Sequence, residues 1–265
     1  MKRIIAAIMA LVLAVTLSGC KEVPSFMPSY WDGLTKAGAR EYIQNTLRDK
    51  YGEEFEVISM GIRSGQYYRE LVGTCSPKSD ENIAFEFEVN HFSENRTMKD
   101  NYIQNVVRKQ LKQNIDEILS THYDNFASEV YVTPLTKWYD SGMRSASETT
   151  VKTFSETFAQ NGKEDKEDIN KTSVWIILSN GEPADIDKLN NIIQEMTLDF
   201  YSLNVYIDCF FADQDTINLC NEKANSTDSS RWEVQVITRN GNFRWDRFIY
   251  YNDDRGLLYA GNNLD

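Results

Sequence analysis

The sequence predicts an α+β fold: an antiparallel sheet with helices packed on one face, plus a C-terminal β-α-β and hairpin unit. Three patterns point there. Two segments, Ala39–Tyr51 and Met98–His122, carry apolar residues at three- and four-residue spacing. Short segments such as Phe85–Val89 alternate apolar and polar residues. An unbroken apolar run, Val174–Leu178, is followed by a helical pattern and a second apolar run. Helices and strands arriving in blocks, with one helix-linked strand pair late in the chain, fit helices layered on a largely antiparallel sheet.

Residues 35–137 read as an N-terminal α+β domain. Ala39, Tyr42, Ile43, Thr46, Leu47 and Tyr51 line one helical face, and Gly52 terminates the helix. Phe55, Val57 and Ser59 alternate with Glu56, Ile58 and Met60 in a first strand, and Arg69–Thr74 supplies a second. Phe85, Phe87, Val89 and His91 share one face of a third, with Glu86, Glu88 and Asn90 on the other. The strongest helix follows over Met98–His122, with Tyr102, Ile103, Val106, Val107, Leu111, Ile115, Ile118 and Leu119 as its apolar stripe. A strand over Glu129–Thr133 closes this unit at Pro134.

Residues 138–172 read as a polar linker, with a charge-rich run from Lys163 to Lys171. Inside it the spacing of Val151, Phe154 and Phe158 favours a short helix over the strand that its threonines would suit. Residues 173–265 form a C-terminal α/β unit. Val174–Leu178 is a strand buried on both faces. A helix over Ala184–Leu203 turns Ile186, Leu189, Ile192, Ile193, Met196 and Phe200 inward, and Val205–Phe211 returns as a parallel strand. A short helix spans Asp215–Lys223. The chain then closes on a hairpin, Trp232–Arg239 and Asn242–Tyr251 flanking Asn240-Gly241, the preferred pair for a two-residue type I′ turn. That turn sets Val236 opposite Trp245, Val234 opposite Arg247 and Trp232 opposite Ile249. Arg247 is then the one charge on an apolar face, so it must reach water or find a carboxylate. A weak internal echo pairs Phe126–Val132 with Tyr201–Ile207, each following an amphipathic helix.

The first twenty residues have a different character. Lys2 and Arg3 precede an apolar stretch, Ile4–Val15, which ends in Leu17-Ser18-Gly19-Cys20. The run is too short to span a bilayer and has the layout of a secretion signal. Its L-S-G-C ending resembles the lipobox of bacterial lipoproteins, in which a peptidase cuts before a diacylglycerol-modified cysteine. The resemblance implies a signal peptide over residues 1–19, lipid attachment at Cys20, and a lipidated tether over residues 20–34. The lipid bilayer is then a partner through Cys20, and the chain is extracytoplasmic and lipid-anchored to the cell membrane. Acyl chains bury about 0.8 kcal/mol per methylene, so two or three hold a protein firmly. Phe26, Tyr30 and Trp31 are more apolar than a tether needs, which suits packing back onto the domain.

Loss of residues 1–19 removes Lys2 and Arg3, leaving 26 basic against 40 acidic residues, a net charge of −14. Such acidity disfavours nucleic acid and anionic surfaces as partners. An aromatic fraction of 12% argues for a folded core. Cys75, Cys209 and Cys220 remain; Cys209 and Cys220 are the nearest pair, but buried free thiols are the stronger default.

Candidate chemistry is sparse. His91 and His122 sit in no ligand pattern, and the chain holds no G-x-S-x-G, P-loop or G-x-G-x-x-G. A Ser-Lys arrangement needs no histidine, but S-x-x-K spacing occurs only at Ser18–Lys21, across the predicted signal cleavage. Asp208, Asp213 and Asp215 surround the end of a β-α-β strand, where such folds place ligand groups and where carboxylates could hold a hard cation. Their spacing lacks the glycine and terminal glutamate of a calcium loop, which favours a solvated edge. Glu164, Asp165, Glu167 and Asp168 alternate with lysines as a solvated loop would. Trp232, Phe243, Trp245, Phe248, Tyr250, Tyr251 and Tyr259 cluster near the end; core packing is favoured over a ring surface for glycan or peptide. No catalytic residue, metal ligand or cofactor is assigned.

The stretch Tyr42–Val57, a helix ending in K-Y-G-E-E-F-E-V and running into a strand, resembles the N-terminal domain of uncharacterised Gram-positive bacterial lipoproteins. In those, an F-x-F-x-V strand and a helix starting D-N-Y follow, as at Phe85–Val89 and Asp100–Tyr102 here. The resemblance covers residues 35–132 and implies a cell-surface lipoprotein of α+β fold, with no activity or site residues. The expectation is a membrane-anchored lipoprotein with a non-catalytic binding or interaction role toward an envelope protein, peptide or glycan. The alternative is an envelope enzyme using carboxylates with a bound cation. A transporter's substrate-binding protein is a third reading, for which the chain is short of β-α-β repeats.

Overall fold

The computed structural model describes residues 31–65, 69–90, 96–134, 142–161, 170–179, 186–201, 203–224, 244–250 and 256–262. Cys20 and the predicted signal peptide lie outside these residues. So do His91, the acidic residues Glu164, Asp165, Glu167 and Asp168, and the hairpin strand Trp232–Arg239 with its Asn240-Gly241 turn. Residues 1–42 and 43–265 make two compact units, dividing within the first helix, α1 (Lys36–Tyr51). In the first unit Trp31 and Leu34 form an antiparallel bridge around Asp32-Gly33, both at positive φ. Trp31 is fully buried, so the last residues of the segment predicted as tether are folded.

Four antiparallel strands open the second unit in sequence order: β1 (Phe55–Ser64), β2 (Arg69–Pro77), β3 (Phe85–Asn90) and β4 (Thr97–Asp100). Their alternation puts Phe55, Phe85 and Phe87 in the core, where Tyr51 at the end of α1 and Tyr102 meet Phe55 edge-on. Rings in such tilted and T-shaped contact add to their area burial by about 0.5–1.5 kcal/mol per pair. β1 carries a bulge at Ile58, where the register shifts between Val57 and Ser59. Opposite it a Cβ on Gly73 would stand 2.1 Å from the Ser59 carbonyl and 2.8 Å from the Phe87 ring, so only glycine fits.

The helix expected from Met98 begins instead at Tyr102, as α2 (Tyr102–His122), because residues 97–100 pair with β3 as β4. Two side chains set that boundary. The Asp100 carboxylate accepts the Tyr102 N–H at 3.2 Å, and the Asn101 Oδ1 accepts the Glu86 N–H at 2.7 Å, tying the helix start to β3. From there α2 packs along the next strand and against the two helices that follow.

The second sheet has five strands, again in sequence order: β5 (Phe126–Pro134), β6 (Asn170–Ser179), β7 (Val205–Ala212), β8 (Arg244–Tyr250) and β9 (Leu257–Asn262). β6 and β7 are parallel, joined through α4 (Ile186–Met196), which is the predicted β-α-β unit; the remaining neighbours are antiparallel. α4 is shorter than expected, passing at Thr197 into a 3₁₀ turn and then to Tyr201 at φ 50°. α3 (Val151–Asn161) occupies the segment predicted as linker, its apolar spacing prevailing over its threonine content.

β5 is the main departure from expectation. Rather than closing the N-terminal sheet, it is the edge of the second, pairing from Phe126 with Leu178 to Pro134 with Asn170. The preceding helix explains the switch: 21 residues of α2 carry the chain about 30 Å away from the first sheet. The doubly buried strand β6 also needs a neighbour on each edge. β8 likewise has both edges taken, by β7 and β9, which overturns the expected hairpin register of Val234 opposite Arg247 and Trp232 opposite Ile249: Arg247 stands between Asp208 and Gly261, and Ile249 between Tyr206 and Leu258. The first echo segment thus lies in β5 and the last three residues of the second in β7, strands that flank β6 but run in opposite directions. α5 (Gln214–Ala224) covers one face, where Ile217 and Cys220 close a cluster with Ala127, Ile177 and Phe210. Cys75, Cys209 and Cys220 are buried thiols that form no disulfide. Among the described residues no helix is long and apolar enough to cross a membrane.

Candidate functional site

Where β5 enters the second sheet, α2 approaches on one side and α5 on the other. Between them lies a cleft of about 300 Å³. α2 presents Lys112 and Asp116, one helical turn apart and so on the same face. The Lys112 ammonium donates to Asp116 Oδ2 at 2.6 Å and to Ser128 Oγ at 3.0 Å, while the Ser128 hydroxyl donates to Asp116 Oδ1. Two apolar residues also line it, the half-buried Phe126 and the buried Ile217. α5 brings Gln214, Asn218 and Asn221 to the opposite wall, and the β5 entry adds Asp124 and Asn125.

This network is a Ser-Lys approach, but it is not built to react. Ser128 is 1% exposed, and its proton is directed at Asp116, not at the lysine. Lys112 is held in an ion pair by the same carboxylate. A nucleophile needs access to its substrate and a free base beside it. Here hydroxyl, ammonium and carboxylate satisfy one another, Lys112 and Asp116 in the cleft wall and Ser128 behind it. The opposite wall is less committed. Gln214 Nε2 donates to Asn218 Oδ1 at 2.9 Å, which leaves the Gln214 carbonyl and the Asn218 amide N–H groups for a ligand. Asn221 Nδ2 donates to the Phe126 carbonyl at 3.0 Å and so fixes α5 to the edge of β5.

The residues singled out in the sequence are dispersed. Asp208, on β7, is buried and taken by Arg247 in a two-pronged pair, Nε to Oδ1 at 2.6 Å and Nη2 to Oδ2 at 2.9 Å. Arg247 therefore meets the carboxylate its apolar face required, and that carboxylate raises the guanidinium pKa above its ordinary value. Asp213 accepts the Thr216 N–H at 2.8 Å and caps α5, and the Thr216 bonds hold its carboxyl below its ordinary pKa. Asp215 is exposed in the first turn of α5. Among the described residues no three His, Cys, Asp or Glu side chains gather as a metal site. His122 stands 3.5 Å from Glu195 across two helices. Of the C-terminal aromatics, Phe248 is buried in contact with Tyr259, which is exposed.

Sequence reasoning missed a second charged row. Glu129, Trp175, Asp208 and Arg247 stand in register across β5 to β8. Glu129 is 2% exposed; Arg108 of α2 donates to its Oε1 from Nε at 3.0 Å and Nη2 at 2.7 Å, and the Val130 N–H reaches the same oxygen. Both carboxylates beside Trp175 are thus closed by arginines. One signal was available for α2's polar groups: Arg108, Lys112 and Asp116 recur every four residues.

No family model and no curated protein matches the chain. Among solved structures it is similar to the crystal structure of a DUF5037 family protein from Ruminococcus gnavus, with a TM-score of 0.57 and 17% identity over 83% of this chain and 94% of that one. At that identity the likeness concerns the fold alone, an α+β arrangement extending over most of both chains.

Proposed function

We propose that this protein is a lipid-anchored extracytoplasmic lipoprotein with a non-catalytic binding role, its anchor at Cys20 and its ligand site in the cleft beside β5. The anchor rests on the sequence: a basic start, an apolar core and L-S-G-C in the right order. The binding role is carried by one observation. In the cleft the serine-lysine approach is closed by Asp116, whereas Gln214 and Asn218 of the facing wall keep donors and acceptors beyond their mutual bond. A concave site lined mainly by polar groups, with Phe126 and Ile217 among them, suits recognition of a polar small ligand or one unit of an envelope protein, peptide or glycan.

The anchor is tested by Cys20→Ala in the full chain expressed in a Gram-positive host. Wild type should incorporate a labelled fatty acid and sediment with membranes. The variant should lose the label and leave the membrane fraction. Unchanged label or sedimentation in Cys20→Ala would overturn the anchor.

A further inference from the structure

We infer that the cleft between α2 and α5 takes a neutral, hydroxyl-rich ring, a single sugar unit; this rests on the binding reading above and names its ligand class. Size comes first. About 300 Å³ lies at the small end of ligand cavities and suits one ring, not an extended chain.

Charge narrows the choice. The single cation in the lining, Lys112, already serves Asp116 and Ser128, so a phosphate or carboxylate ligand would have to displace a held carboxylate. A cationic ligand would meet a single carboxylate of the described lining, the exposed Asp124, because Asp116 is already paired with Lys112. What the cleft offers in quantity is amide. The Gln214 carbonyl accepts, the Asn218 N–H groups donate, and Asn125 does both. Hydroxyls donate and accept at once, so a polyol can satisfy such a mixed set without a net charge. The apolar residues complete the match. A sugar ring has an apolar C–H face, and the lining includes two apolar residues among its polar ones, the half-buried Phe126 and the buried Ile217.

The test is a chemical-shift titration of the full chain in a sugar-free detergent. The separate probes are glucose, galactose, N-acetylglucosamine, inorganic phosphate, ethylamine and a solubilised cell-envelope extract. The expected result is saturable shifts at residues 124–126 and 214–221 with at least one sugar and with neither phosphate nor ethylamine. Asn218→Leu, an exposed helical substitution, should then weaken that sugar about tenfold at unchanged Tm. The inference is overturned if no sugar moves those resonances, or if Asn218→Leu binds as wild type does. Should phosphate, ethylamine or only the extract move them, the sugar class falls and the binding reading stands. Silence of the cleft toward every probe and the extract overturns both.

Discussion

The two ends of α2 handle a carboxylate in opposite ways. At the N-terminal end the Asp100 side chain is 1% exposed and fully enclosed: Lys50 donates to Oδ2 at 2.8 Å, while the Tyr51 hydroxyl at 2.6 Å and the Tyr102 N–H at 3.2 Å both reach Oδ1. One acid thereby ties the end of α1, the end of β4 and the start of α2. Toward the C-terminal end the Asp116 side chain is 35% exposed, and it lines a cleft with its partner Lys112 while Ser128 lies buried behind them. A closed hub spends every group on the fold. An open one keeps its geometry while the groups around it stay available to a ligand. The difference separates a carboxylate enclosed by the fold from one at the rim of the proposed ligand site.

The largest effect should come from breaking the closed hub. Asp100→Ala leaves a buried tyrosine hydroxyl, a helix N–H and a partly buried ammonium without their acceptor, and should cost about 3–5 kcal/mol. Urea unfolding of the full chain reads this directly. A loss no greater than that of a surface residue would mean that the hub is not closed.

The open hub should yield less. In Asp116→Asn the partly exposed Lys112 can turn to water and the amide can still accept from Ser128, so the loss should be about 1 kcal/mol. Equal losses for Asp100→Ala and Asp116→Asn would erase the contrast between the two ends.

Periodicity made the elements legible, and their partners much less so. Alternation identified β1 and β3, and the apolar run with its following helix identified β6, α4 and β7 as one unit. The lone charge of Arg247 among apolar neighbours announced a carboxylate, and Asp208 answers it. β4 was hidden because Met98 and Tyr102 sit four apart and so extend the stripe of α2 backward across a strand. β5 was recognised as a strand, but alternation specifies the faces of a strand and says nothing of which sheet it joins. That one ambiguity also concealed the cleft. Its walls come from residues 112–116, 124–126 and 214–221, and they meet only because β5 docks beside β6.

A third carboxylate on α2's flank sharpens the comparison at its weakest end. Asp199, in the 3₁₀ turn after α4, faces no cation there: burial and the nearby Glu117 raise its pKa above the ordinary 3.8, against a hydrogen bond from Asn114 that lowers it. A carboxyl whose folded pKa exceeds its unfolded value binds its proton more tightly in the native state. It therefore favours folding at low pH, and that benefit is lost as pH rises through the ordinary value toward the raised one. At pH 7 the ionised side chain is thus a small burden, where Asp100 and Asp116 are supported by lysines. Asp199→Asn should raise Tm slightly at pH 7, and the gain should vanish at pH 3, where wild type carries the proton itself. Thermal unfolding of both proteins at the two pH values checks the sign. A gain that persists at pH 3 would assign the effect to packing of the amide and not to charge.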